Sequence, residues 1–143
     1  EIRIFDLEER LINFAVRIIR MAESLPKTKV GNHIAGQLIR CGISPAPNYG
    51  EAQSVESLAD FVHKMNVCLK ELRETRIFLL IVVKANLVKP AIKLESLIKE
   101  NDELISIFVA SVKTAKHKSK KPRNSKFIVR YSILNVILFV IHE

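Results

Sequence analysis

Apolar positions recur at helical spacing in four stretches of this chain, with polar residues filling the positions between. Leu7, Leu11, Phe14, Ile18, Met21 and Leu25 follow one another in alternating steps of four and three. Ile12, Ala15, Ile19 and Ala22 widen that stripe, while Arg10, Asn13, Arg17 and Arg20 take the other side. The pattern predicts an amphipathic helix over about residues 6–24 with Asp6 as its N-cap. Pro26 closes it, because the residue before a proline avoids the α region.

A second stretch starts at Thr28, another N-cap, and runs through Val30, Ile34, Leu38 and Cys41. Gly31, Gly36 and Gly42 weaken it by roughly 1 kcal/mol each relative to Ala. Close approach of a second helix is the physical reason to keep them. Pro45 and Pro47 each remove an amide donor and crowd the preceding turn, so a kink or break is expected near residues 43–47, with helix resuming over 48–53. The third stretch is the longest: Leu58, Val62, Met65, Leu69, Leu72, Arg76, Leu79 and Val83. Ser54 and Ser57 both suit its N-cap, and Asp60, Lys64, Lys70 and Glu74 are spaced for ion pairs along its outer side. From Ile77 to Val83 this helix is apolar all round, which demands burial on more than one side. A partner chain is the expected source of the second side. Arg76, lying in the apolar register, calls for a partner carboxylate in the same way. Pro90 suits the first turn of a fourth helix, in which Leu94, Ile98, Asn101, Ile105, Phe108 and Val112 repeat the same steps.

Together these stretches predict an all-α, antiparallel up-and-down four-helix bundle over residues 1–118, followed by a basic C-terminal tail over 119–143. The length of 143 residues suits one domain with one core, and the absence of Trp makes that core aliphatic. Net charge is +8, but its distribution matters more than its size. Residues 1–112 hold 15 Lys/Arg against 14 Asp/Glu, whereas residues 113–143 hold eight against one. The bundle body is therefore nearly neutral and the basicity is terminal. Residues 127–141 are rich in Ile and Val, but Arg130 interrupts them and the run is too short to span a bilayer. They are expected to favour β structure weakly or to dock on the bundle. The N-terminus shows no apolar leader, so a cytoplasmic location is expected. Because the chain opens on Glu1 rather than Met, a few residues are expected upstream.

Little of this sequence points to catalysis. Cys41 and Cys68 have no Cys or His at metal-ligand spacing and read as small core residues. His63 follows Asp60 by one turn, but no third group completes a relay. There is no Gly-rich phosphate loop, HExxH, GxSxG or CxxC. The expectation is a non-enzyme with no cofactor, metal, membrane or small-molecule substrate. Two groups of residues remain as candidates. Lys113, Lys116, Lys118, Lys120, Lys121, Arg123 and Lys126 form a basic cluster suited to phosphate contacts with RNA or DNA. Arg40, Glu51, Glu71, Arg73, Glu74 and Arg76 are placed for ion pairs between helices or between subunits.

The run Gln37-Leu38-Ile39-Arg40-Cys41-Gly42-Ile43-Ser44-Pro45-Ala46-Pro47-Asn48-Tyr49-Gly50-Glu51-Ala52 resembles a signature of the bacterial four-helix-bundle protein family known as 23S rRNA-intervening sequence proteins. So do Asp60-Phe61-Val62-His63-Lys64 and Lys70-Glu71-Leu72-Arg73-Glu74-Thr75-Arg76. The resemblance covers roughly residues 6–112. It implies a four-helix bundle assembled as a homopentameric barrel with a central channel. Related accessory proteins of diversity-generating retroelements share the fold and bind a reverse transcriptase and nucleic acid. An adaptor role, docking such a partner enzyme, is the alternative expectation. Phe78-Leu79 stands where the family pattern has Trp-Leu, and Cys41 where it has Ser; both are packing changes.

Overall fold

Side-chain caps start three of the helices. Asp6 accepts a hydrogen bond from the Glu9 amide at 3.1 Å and opens α1 (Leu7–Ser24). Thr28 does the same for the Gly31 amide at the head of α2 (Lys29–Ile43). The computed structural model describes residues 6–119, and the expectations that fall on residues 120–143 lie outside that range. Between α2 and α3 (Pro45–Ala52), Ser44 keeps right-handed helical dihedrals while the hydrogen-bond ladder lapses. Pro45 and Pro47 cannot donate to the carbonyls four residues back, which is the cause of the lapse. Asn48 repairs it locally. Its amide reaches the Ser44 carbonyl at 3.3 Å, and its side-chain Nδ2 reaches that carbonyl at 2.9 Å and the Ser44 hydroxyl at 3.0 Å.

Ser57 caps α4 (Leu58–Lys84), accepting from the Asp60 amide at 3.1 Å and donating to the Asp60 carboxylate at 2.5 Å. Ser54, the other candidate, instead donates to the Glu51 carbonyl at 3.0 Å. Asn86, with φ of 53°, ends α4 in a left-handed residue that closes a Schellman motif. Its amide bonds to the Val83 carbonyl, and the Leu87 amide bonds to that of Val82, both at 3.1 Å. One expectation about the last helix needs correction. A 3-10 turn over Ala91–Leu94 follows Pro90, and α5 (Glu95–Ser119) begins only after it. The helix continues through Lys113, where the composition turns basic, and buries Ala115 against the core.

α1 packs on α2, α3 and α5, and α4 packs on the same three. α1 and α4 therefore occupy opposite corners of an antiparallel four-helix bundle in which α2 and α3 form one interrupted arm. Leu11, Phe14, Ile18, Leu38, Met65, Leu72, Leu79, Leu104 and Phe108 fill the centre. Tyr49 meets Phe108 edge to face, with centroids 6.0 Å apart, and so joins α3 to α5; such pairs contribute about 1 kcal/mol beyond their buried area. One polar side chain sits deep in this core. Asn101 donates to the Leu72 carbonyl at 3.2 Å, pinning α5 against α4 at a defined level.

The α1–α2 contact depends on a missing side chain. A Cβ on Gly42 would lie 2.7 Å from a methyl of Ile18, which is itself fully buried. At Gly31 a Cβ would meet the Pro26 carbonyl oxygen at 1.9 Å, a backbone atom with nowhere to go. Gly36 has open space at that position. We expect G31A to be the most destabilising of the three. We expect G42A to lower stability by about 1–3 kcal/mol through overpacking, and G36A to raise it by up to about 1 kcal/mol through helix propensity. Urea unfolding of the three variants checks the order, and a stabilising G42A would contradict the close approach.

Candidate nucleic-acid and assembly surfaces

Several charged side chains on this bundle pair between helices. The Arg10 guanidinium grips Glu100 with two nitrogens, at 2.6 and 2.9 Å, and reaches Glu103 at 2.6 Å. Arg17 donates to the Ser96 hydroxyl at 2.8 Å. Both therefore join α1 to α5, although the sequence pattern placed them on the outer side of α1. Arg40 of α2 pairs with Glu71, at 3.3 Å, and with Glu74 on α4. Lys64 of α4 pairs with Glu51 of α3, and Arg76 of α4 with Asp102 of α5 at 2.6 Å. Thus Arg40, Glu51, Glu71, Glu74 and Arg76 all sit in ion pairs between helices of one chain, while Arg73 is exposed. Lys64 and Glu74 reach across to neighbouring helices rather than pairing along α4. Most of these pairs are half-exposed, where each contributes at most about 1 kcal/mol. Their larger effect is on which helix neighbours which, and at what level.

Arg76 needs a further correction. The position expected to face the core at this level of α4 belongs to Thr75, which is fully buried and donates to the Glu71 carbonyl at 2.8 Å. The buried stripe of α4 runs Phe61, Met65, Cys68, Leu72, Thr75, Leu79 and Val82, an alternation of four and three that shares Met65, Leu72 and Leu79 with the expected one but takes the neighbouring residues in between. Val62 and Val83 flank it at its two ends. Arg76 is carried to the flank, where Asp102 of the same chain supplies the carboxylate.

The basic candidates divide at the edge of the described residues. Lys113 and Lys116 are exposed and one turn apart near the end of α5, and Lys118 is half-buried. Lys120, Lys121, Arg123 and Lys126 lie outside the described range. Cations on the last turns of a helix also complement its negative dipole end.

Two apolar patches face outward. On α4, Leu79 and Val82 are fully buried, but Ile77 is 54% and Ile81 40% exposed. Among the described residues, no helix covers the second side of that all-apolar segment. On α1, Ile12 is 43% and Val16 38% exposed. Sequence reasoning had counted Ile12 as part of a wide core face; α2 and α5 leave it outside. Its position four residues from Val16, one turn along the same helix, is the signal that could have marked a second outward stripe.

Cys41 and Cys68 are free and buried, and their thiols donate to the carbonyls of Leu38 and Pro45. Burial pushes both thiols up, Cys68 to about 12. His63 is exposed, and the Asp60 carboxylate beside it is engaged by Ser57. Among the described residues no group of three His, Cys, Asp or Glu is placed to hold a metal, and no helix is long and apolar enough to cross a membrane.

These features define a small all-α protein built as a four-helix bundle. The chain belongs to the 23S rRNA-intervening sequence protein family, whose model matches residues 5–110. It is similar to a protein of unknown function from the S23 ribosomal protein family of Bacteroides thetaiotaomicron, solved at 1.70 Å resolution. The two are 28% identical with a TM-score of 0.70, and the match covers 76% of this chain and all of the other. No curated protein matches the chain.

The thiols provide a test of the core. A raised folded-state pKa favours the neutral thiol, so its stabilising effect is full below the ordinary thiol pKa and is lost as pH rises through the folded value. For Cys68 that window runs from about 9 to about 12. At pH 8 neither cysteine should react with a thiol reagent until urea unfolds the chain, and stability should fall as pH climbs above 9. Rapid native-state labelling of both residues at pH 8 would contradict the buried placement.

Proposed function

We propose that this protein is a non-enzymatic, self-associating bundle that holds RNA or DNA electrostatically at one end. By likeness to its family the assembly is a homopentamer working in the cytoplasm. The observation that carries the nucleic-acid reading is charge segregation. The body is close to neutral, and five of its cations, Arg10, Arg17, Arg40, Lys64 and Arg76, make contacts between helices. Lys113, Lys116 and Lys118 cluster at the end of α5, and four more cations follow by residue 126. Contacts of that kind bind phosphate without reading sequence and weaken steeply with salt. Repetition of the cluster around an oligomer multiplies the effect.

A second reading, an adaptor that docks a partner enzyme, draws support from the opposite end of the bundle. There Val30, beside the α1–α2 connection, is 58% exposed, and Ile92, beside the α4–α5 connection, is 66% exposed. Partner recovery that survives nuclease and is lost in V30E or I92E would favour it.

Deleting the chain from Lys113 onward is a poor test, since it removes the last turns of α5 together with the buried Ala115. Charge removal in the full chain is cleaner. Filter binding across a salt series should give a steep negative slope of log affinity against log salt. K113Q/K116Q/K118Q should lower affinity for all sequences alike and make that slope shallower by about one for each lysine that contacts phosphate. Affinity and slope unchanged in the triple variant would remove the α5 end as the binding surface.

A further inference from the structure

We infer that copies of this chain associate side by side, all pointing the same way, with the outer face of α4 in one copy packing parallel on the outer face of α1 in the next. The inference rests on the self-association proposed above and names the surfaces that carry it. On α4, Lys70, Ile77 and Lys84 are exposed and recur every seven residues, so they share the outward side of the helix. On α1, Glu9, Val16 and Glu23 are exposed at the same spacing. The first stripe sets an isoleucine between two cations, and the second a valine between two anions. Among the described residues, none of these four charges enters an ion pair within the chain.

Each stripe rejects a copy of itself and accepts the other. A two-fold contact of α4 with α4 centred on Ile77 sets Lys70 against Lys84, and one of α1 with α1 centred on Val16 sets Glu9 against Glu23. Like charges so placed oppose both contacts. α4 against α1 pairs a cation with an anion at both ends. The fold then supplies the direction. α1 and α4 run the same way within the bundle, so a parallel contact keeps every copy upright. An antiparallel contact would invert each successive copy, which a ring of like-pointing chains forbids. In the parallel register Lys70 stands level with Glu9, Ile77 with Val16, and Lys84 with Glu23. Sliding α1 by one turn, to bring Ile12 level with Ile77, sets Lys84 against Ile19 and leaves Lys70 ahead of the helix.

The flanks of the two stripes bend the contact to one side. Arg20 lies one turn beyond Arg17 and Arg73 one turn before Arg76, and both Arg17 and Arg76 bond to α5. In the parallel register Arg20 and Arg73 therefore fall on the α5 side of the seam, where like charge holds the copies apart. Ile12 and half-buried Ile19 turn away from Arg17, and Ile81 lies seven residues beyond Glu74, which Arg40 of α2 pairs. These three aliphatic residues fall on the α2 side and draw the copies together there. A contact that is tight on the α2 side and open on the α5 side turns each copy in the same sense, so the heterologous series closes into a ring with α2 inward. A ring adds no rise from copy to copy, so Val16 and Ile77 must stand at similar heights within one chain. The α5 contacts of Arg10 and Arg76 place Val16 somewhat beyond Ile77 along the bundle, and the α2 contacts of Ile18 and Arg40 place it before, which brackets the height required. Buried aliphatic area supplies the affinity of the contact, and the terminal charges fix its register.

Cysteine cross-linking of the full chain tests surfaces and direction in turn. Under mild oxidation V16C/I77C, which keeps all four charges, should give a ladder of covalent multimers on a non-reducing gel, while V16C and I77C alone stay as single chains. The native cysteines are buried and leave the background clean. E23C/K84C should also give a ladder, and E9C/K84C should not. A ladder from E9C/K84C would mean antiparallel helices and overturn the proposal. A covalent dimer from I77C alone would overturn it in favour of a symmetric α4 contact. No ladder from V16C/I77C, when the unaltered chain elutes as an oligomer, would overturn the surfaces and leave the self-association standing. Elution of the unaltered chain as a monomer would instead remove the self-association, and the proposal with it. Charge reversal gives an independent reading: K70E/K84E should lower the mass to that of a single chain, and E9K/E23K/K70E/K84E should return it to the oligomer. Retention of the full oligomer mass by K70E/K84E would count against the proposal.

Discussion

α4 carries more apolar surface than its three helical neighbours can cover. A helix at the corner of a four-helix bundle is covered on the side that faces the core, and Leu72, Leu79 and Val82 occupy that side of α4 with no exposure. Ile77 and Ile81 lie on the side that α2, α3 and α5 cannot reach. Burying apolar area is favourable by about 25 cal/mol per Å², so an uncovered pair of isoleucines on a rigid helix is a standing drive for association. The core, the ion pairs and the outward stripes all arrange themselves around where α4 is enclosed and where it is not.

The charged residues then specify the arrangement that hydrophobic burial alone leaves open. Aliphatic faces are forgiving about level and neighbour. Arg10 ties α1 to α5, Arg40 ties α2 to α4, Lys64 ties α4 to α3, and Arg76 ties α4 to α5. Asn101, one residue before the Asp102 that holds Arg76, adds a buried anchor to the same pair of helices. Residues 1–112 carry nearly equal numbers of cations and anions, so the excess positive charge falls from Lys113 onward.

Helices α1, α2 and α4 were legible from caps and spacing because Asp6, Thr28 and Ser57 act locally, within one turn. The break at Ser44 was equally legible, since proline forbids a hydrogen bond whatever surrounds it. The errors came where tertiary packing decides. The exchange of Arg76 for Thr75 is a choice between two stripes of the same spacing, which the positions of α2, α3 and α5 around α4 decide. Ile12 turns outward only because α2 and α5 approach α1 from other directions. In the candidate site the charges were visible but their partners were not, since Arg40 pairs 31 and 34 residues away. The family signature itself proves to be a packing signature. Gly42 meets Ile18, the Pro45 carbonyl receives the Cys68 thiol, Tyr49 meets Phe108 and Glu51 pairs with Lys64. That is why it is informative about fold and says little about the molecule's task.

Self-association is the claim on which the functional account turns, and the mass of the full chain in solution measures it most directly. Sedimentation equilibrium at micromolar concentration should return several times the 16.3 kDa chain mass, with five copies expected. A single species at 16.3 kDa across that range would show that the outer face of α4 is tolerated in water, and would contradict the account.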